Sequence, residues 1–110
     1  MTDWLSNMVG LSMRAGKLES GALPVEKALS AGKAKLVLLD EEMSENSLKK
    51  YVSSCGIKNI TVILLKPGVL SAAIGRERLC AAVTDEGFKK SIIKLAIDAG
   101  LHIFGGVTNK

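Results

Sequence analysis

Aromatic side chains are scarce: Trp4, Tyr51, Phe88 and Phe104 are the whole complement of a 110-residue chain. That count argues against an aromatic platform on which successive bases stack. Cysteine is equally thin. Cys55 and Cys80 allow at most one bridge, and with His102 as the single histidine they do not complete a four-ligand zinc site. Both lie among apolar neighbours, which favours reduced, packed thiols in a cytoplasmic protein. His102 has no serine or cysteine beside it in a nucleophile context, so a catalytic triad is not expected. No apolar run approaches the ~18 residues of a membrane span. The opening MTDWLSNMVG lacks the basic run and cleavage pattern of a secretory leader.

What is present is a balanced globular composition, 47% hydrophobic and 24% charged, which excludes a disordered chain. A chain of this length is expected to bury roughly 65% of its unfolded surface and to form one domain. The net charge of +4 leans towards a polyanionic partner. Placement says more: Arg14, Lys17, Lys27, Lys33 and Lys35 fall in the first third, whereas Asp40, Glu41, Glu42 and Glu45 follow.

The hydrophobic pattern predicts alternating helices and strands. A helix carrying Trp4, Leu5, Met8, Val9 and Leu11 is capped by Thr2 or Asp3 and stops at Gly16. A short extended piece, Lys17–Ser20, precedes a helix opened by Gly21, with Pro24 in its first turn and Gly32 as its stop. Leu36–Leu39 is a continuous apolar strand of the kind covered on both faces. Ser44 begins a third helix with Leu48, Tyr51, Val52 and Cys55 on one side. Ile60–Leu65 is a strand, Pro67 to Gly75 a short helix, and Cys80–Val83 a further strand. Asp85 caps a last helix holding Phe88, Ile92, Ile93, Leu95 and Ala96. The pattern implies an α/β sandwich, one domain over residues 1–98, with a tail of unassigned order from 99 to 110.

Familiar catalytic motifs are missing. Gly16 and Gly21 have the glycine spacing of a phosphate-binding P-loop, but Ala22 stands where its lysine belongs, and no G-x-G-x-x-G opens a helix. The acidic group Asp40–Glu45 reads as a solvated loop favouring the start of the Ser44 helix rather than as a metal site. The remaining chemistry is anion binding. The start of the Gly21 helix offers unpaired amides and positive dipole character, with Gly21 permitting close backbone approach and Lys17 and Lys27 supplying charge. Spacing alone also allows these glycines to be ordinary caps and the lysines to be solubility charges. A second segment, Leu70–Val83, carries Arg76, Arg78 and Leu79 in a loop after Gly75. Arginine beside an apolar side chain suits a splayed-out nucleotide. The alternative is that Glu77 pairs with an arginine and Leu79 simply enters the strand.

Together the two segments resemble the kink-turn RNA-binding ribosomal-protein family, the large-subunit "seven-Ae" proteins, and are most similar to its bacterial YlxQ-like branch. The resemblance runs over about residues 4–98. It is carried by Arg14-Ala15-Gly16-Lys17-Leu18, Gly21, Lys27-Ala28, Gly32 through Leu39, Ser44-Glu45-Asn46, Leu70 with Ile74-Gly75, and Ala82 through Phe88. It implies a three-layer α-β-α sandwich with a small mixed sheet of about four strands, no catalysis, no cofactor and no metal. The implied partner is a kink-turn or other bent RNA, in a ribosomal setting, with no small-molecule substrate. The implied contacts are Lys17, Gly21, Ala22, Leu23, Pro24 and Lys27 on one side, and Ile74, Gly75, Arg76, Glu77, Arg78 and Leu79 on the other. Well-known members read sheared G·A pairs with an Asn-Glu pair, where this chain has Leu23 and Pro24. Recognition is therefore expected through shape and phosphates. A competing expectation is a protein-interaction module that has lost base readout and uses this apolar corner. Self-association through Leu101, Ile103, Phe104 and Val107 is the alternative to a monomer.

Overall fold

The computed structural model describes residues 2–105. The side chains of Thr2 and Asp3, and the tail residue Val107, lie outside the described residues. Five helices, α1 (Thr2–Arg14), α2 (Ala22–Ser30), α3 (Glu45–Ile57), α4 (Val69–Ile74) and α5 (Glu86–Asp98), alternate with five strands. The strands are β1 (Leu18–Ser20), β2 (Leu36–Asp40), β3 (Thr61–Leu65), β4 (Cys80–Val83) and β5 (Ile103–Phe104). They form one mixed sheet in the order β1-β4-β2-β3-β5, in which β2 and β3 are parallel and the other pairs antiparallel.

The alternation of strand side chains divides the core in two. Leu36 and Leu38 of β2 face Leu5 and Val9 of α1, Leu70 and Ile74 of α4, and Ile92 and Ala96 of α5. Val37 and Leu39 face Val25, Ala28 and Leu29 of α2 and Cys55 of α3. Every residue of β2 is buried, which is why LVLLD shows no apolar–polar alternation in the sequence. Three helices on one face and two on the other make the expected three-layer α-β-α sandwich.

The differences from expectation have local causes. The sheet has five strands because Ile103–Phe104, in the tail, pairs with Ile63 and Val62. Leu101 and Ile103 pack beside the first core cluster, and Phe104 beside the second. The helix expected from Pro67 starts at Val69, because the Lys66–Gly68 turn places Gly68 at φ +82°, outside helical geometry. Of the apolar residues that α1 carries, Trp4 and Leu11 are exposed, Trp4 at 69%. The face that α1 buries is the i, i+4, i+7 stripe of Leu5, Val9 and Ser12, with the Ser12 hydroxyl donating to the Val9 carbonyl at 2.7 Å. Asp40 is not part of a solvated loop. It ends β2 buried, its carboxylate accepting the Glu42 amide at 2.7 Å and the Gly68 amide at 3.0 Å. It thus ties the β2–α3 turn to the β3–α4 turn. Glu45 does sit in the first turn of α3, which Ser44 caps by accepting the Ser47 amide.

Candidate nucleic-acid interface

The site lies at the carboxyl end of the two parallel strands. Here the β1–α2 junction meets the loop that leads from α4 into β4. The antiparallel pairing of β1 with β4 carries on past Ser20, so the Gly21 amide donates to the Cys80 carbonyl at 3.0 Å. Residues far apart in sequence are held there by sheet register.

Gly21 takes φ +98°, ψ 160°, and serves as the N-cap of α2 with no side-chain cap. Val25 donates back to its carbonyl at 3.1 Å. Pro24 has no N–H to leave unpaired, and its fixed φ suits a first turn. The amides of Ala22 and Leu23 have no acceptor within the helix and point outward at its positive end. The expectation that Gly21 admits a second backbone needs correction. Its neighbour is a side chain, Arg78, whose Nε would stand 3.5 Å from an added Cβ, an ordinary contact. What this junction demands of Gly21 is its backbone conformation.

Arg78 is held firmly for a surface residue. Its Nε donates to the Ser20 hydroxyl at 3.2 Å and its Nη1 to the Glu77 carbonyl at 3.0 Å. Its amide donates to the Ser71 hydroxyl at 2.9 Å, and that hydroxyl donates back to the Arg78 carbonyl at 3.1 Å. Among the described residues Nη2 has no acceptor, so the guanidinium keeps donors for a partner. The loop starts at Gly75, which ends α4 in the left-handed region at φ +86°. Glu77 makes no ion pair with either neighbouring arginine among the described residues; the two pairs present are Lys66–Glu41 and Lys89–Glu86. Leu79 enters the strand through its backbone, its carbonyl accepting the Asp40 amide at 2.9 Å, yet its side chain stays 45% exposed. Of the second reading of this loop, the strand entry of Leu79 is present and the Glu77–arginine pair is absent among the described residues.

Gly21, Ala22, Glu77, Arg78, Leu79 and Cys80 line a shallow groove of about 460 Å³, whose other wall is Met43, Ser44, Ser47 and Tyr51. The sequence did not single out that second wall for function, nor Ser20 and Ser71. Ser20 adjoins Gly21 and was within reach of local reasoning; Ser71, on α4, gives no such signal. The wall is neutral. Tyr51 Oη lies 3.7 Å from Cys80 Sγ, and burial first, then this contact, pushes the phenol above its ordinary value. Burial also raises the Cys80 thiol. Among the described residues that line the groove Glu77 is the one acid facing Arg78, with Glu26 near enough to act on Tyr51 and Cys80.

The remaining expected contacts divide. Leu23, Pro24 and Lys27 line a second groove of about 540 Å³ that runs along α2 to Gly16, Lys33 and Thr84. Leu23 is 70% exposed on this second groove and does not line the first. Gly75 and Arg76 are exposed in the loop, whereas Ile74 is turned into the core and supports the loop from beneath. Lys17 is not at this end at all. It precedes β1, four residues and roughly 13 Å from Gly21 along an extended chain. No group of three or more His, Cys, Asp and Glu side chains among the described residues is placed to hold a metal ion. No described helix is long and apolar enough to cross a membrane.

The architecture is thus a small α-β-α sandwich that sets a helix start and an arginine loop side by side at the carboxyl end of its parallel strands. The chain belongs to the ribosomal protein L7Ae/L30e/S12e/Gadd45 family, whose model matches residues 4–93. It is 39% identical over 95 residues to the RNA-binding protein YlxQ of Bacillus subtilis (strain 168), covering 84% of this chain and 94% of that one. It is 31% identical over 90 residues to the RNA-binding protein YlxQ of Enterococcus faecium, covering 81% and 87% respectively. Among solved structures it is similar to a protein of unknown function from Bacillus halodurans C, with a TM-score of 0.79, 34% identity and coverage of 86% and 97%. The Giardia lamblia 15.5kD RNA binding protein shares the fold, with a TM-score of 0.66 at 15% identity over 87% and 84%.

Proposed function

We propose that this chain is a non-catalytic, cytoplasmic RNA-binding protein that holds a kink-turn-like bend, in ribosomal RNA, by shape and phosphate contacts. RNA binding is what the names of its YlxQ relatives state of those proteins, and the family match supports carrying it over. The observation that carries the reading is the apposition of Arg78 with the uncapped start of α2 at Gly21. Two outward amides and a guanidinium with donors to spare address one phosphate run from two directions. Leu23 and Pro24 provide no hydrogen-bonding side chain where base edges would be read, so the bend itself is the recognised feature.

The test is a calorimetric or gel-shift titration with a standard kink-turn and with a straight duplex of equal length, each with and without magnesium. The kinked RNA is expected to bind more tightly, with a log–log salt slope of about −3 to −4 for three to five phosphate contacts. Arg78→Ala should weaken it. Equal affinity for the two RNAs would refute shape recognition. The exposure of Leu23 and Leu79 beside the groove favours one second reading, a protein-interaction module on the same fold. Such a module would bind neither RNA above background.

A further inference from the structure

The basic residues bunched in the first third of the chain are not all used at Gly21. β1 and β2 both pair with β4, and Leu18 and Leu36 both stand opposite Val83. The residues immediately before them, Lys17 and Lys35, therefore flank the end of β4. The Lys17 carbonyl accepts the Thr84 amide at 2.9 Å, and the Lys35 amide donates to the Val83 carbonyl at 2.7 Å. Two strand spacings separate them, about 10 Å. Lys33 joins them at the mouth of the groove that runs back along α2 past Lys27. All four lysines are exposed.

Little opposes this charge. Glu19 is the one acid among the described residues that line the groove; Lys66–Glu41 lies elsewhere, and Glu86, which opens α5 next to Asp85, is paired with Lys89 at 3.4 Å. Asp85, which follows β4 at this end, has its carboxylate engaged by the Phe88 amide at 2.9 Å. An exposed basic strip with few counter-charges concentrates polyanions. It starts roughly 13 Å from Gly21, about four base-pair rises along a nucleic-acid helix.

We propose that the Lys17–Lys33–Lys35 strip and the groove leading to it form a second phosphate-binding surface. It takes the backbone of a duplex arm of the same RNA whose bend is held at Gly21 and Arg78. The inference rests on the proposed RNA-binding function and adds a requirement that function alone lacks: an arm long enough to reach the far end of β1.

The experiment compares wild type with Lys33→Ala/Lys35→Ala on kinked RNAs in which each arm in turn is cut from about ten to about four base pairs. A straight duplex is run in parallel, and matched melting temperatures confirm that the variant folds. On the long-armed RNA the variant should flatten the salt slope by about 1.5 to 2, so its disadvantage shrinks about tenfold between 50 and 200 mM salt. Shortening the arm that lies on the strip should weaken wild type and abolish that difference. A Lys33→Glu/Lys35→Glu variant should lose more than the alanine pair. If the slope is unchanged on long-armed RNA, the strip is refuted whatever the bend preference. If wild type binds kinked and straight RNA equally while the variant still flattens the slope, shape recognition falls and the strip stands. If wild type binds no RNA, both fall.

Discussion

Replacing Gly21 with alanine should destabilise the protein through its backbone alone. The junction holds φ +98°, ψ 160°, a region that residues with a Cβ scarcely occupy, and such strain costs roughly 1–3 kcal/mol. Space does not add to the cost, since the new Cβ would meet Arg78 Nε at 3.5 Å and Pro24 Cδ at 3.7 Å. The chain cannot relax cheaply by rotating φ. The Gly21 amide is bonded to Cys80 and its carbonyl to Val25, so relief would break either the β1–β4 register or the first turn of α2. With an unfolding entropy of about 2.1 cal/mol/K per residue, the chain has about 0.23 kcal/mol/K, so a loss of about 2 kcal/mol lowers Tm by about 9 °C. Gly56→Ala is the control of opposite sign. Gly56 lies in the last turn of α3 with ordinary φ and open space around its Cα, so alanine should stabilise by about 0.5 kcal/mol. Urea denaturation and thermal melts of both variants measure the pair. A Gly21→Ala protein as stable as wild type, or a Gly56→Ala protein equally damaged, would refute the claim that conformation explains Gly21.

Asp40→Ala should cost about 2–3 kcal/mol in urea denaturation, because the Glu42 and Gly68 amides lose a charged acceptor; Asp40→Asn, keeping one acceptor oxygen, should cost about half as much. Burial pushes the Cys55 thiol from 9.0 up to about 11, so the folded state keeps a proton that the unfolded state releases. Stability should therefore hold below pH 9 and fall between pH 9 and 11, by at most about 1.4 kcal/mol per pH unit from this group. Cys55→Ala should make that decline shallower, and an unchanged profile would remove Cys55 as its source. Both buried thiols should react with an aromatic disulfide reagent far more slowly in native protein than in denaturant at pH 8.

Much of the fold was legible because its elements are short and sharply punctuated. Gly16 and Gly32 lie at turns with φ of +74° and +72°, and the runs Leu36–Leu39 and Cys80–Val83 are apolar on both faces because both faces are covered. Ser44 and Asp85 accept the amides that caps should accept. What sequence hides is the order of strands. Nothing in LES or CAAV says that β4 inserts between β1 and β2, since strand order and register are properties of the assembled sheet. β5 is hidden for another reason: two residues cannot display a period.

That hidden order governs how the site must be understood. Sequence proximity groups Lys17 with Gly21, four positions apart, and leaves Arg78 in a separate loop. Strand geometry does the reverse. An extended β1 carries Lys17 away from Gly21, while its antiparallel pairing with β4 returns Gly21 to Cys80 and hence to Arg78. The same pairing, through the shared partner Val83, brings Lys17 beside Lys35, eighteen positions later. Lys17 and Arg78 thus stand at opposite ends of the β1–β4 pair. Under the binding mode proposed above, the three residues of β1 set both the spacing of the two surfaces and the length of RNA that touches them together. If that is so, lengthening β1 would separate the surfaces without altering either, whereas Arg78→Ala would disable one and leave the other in place.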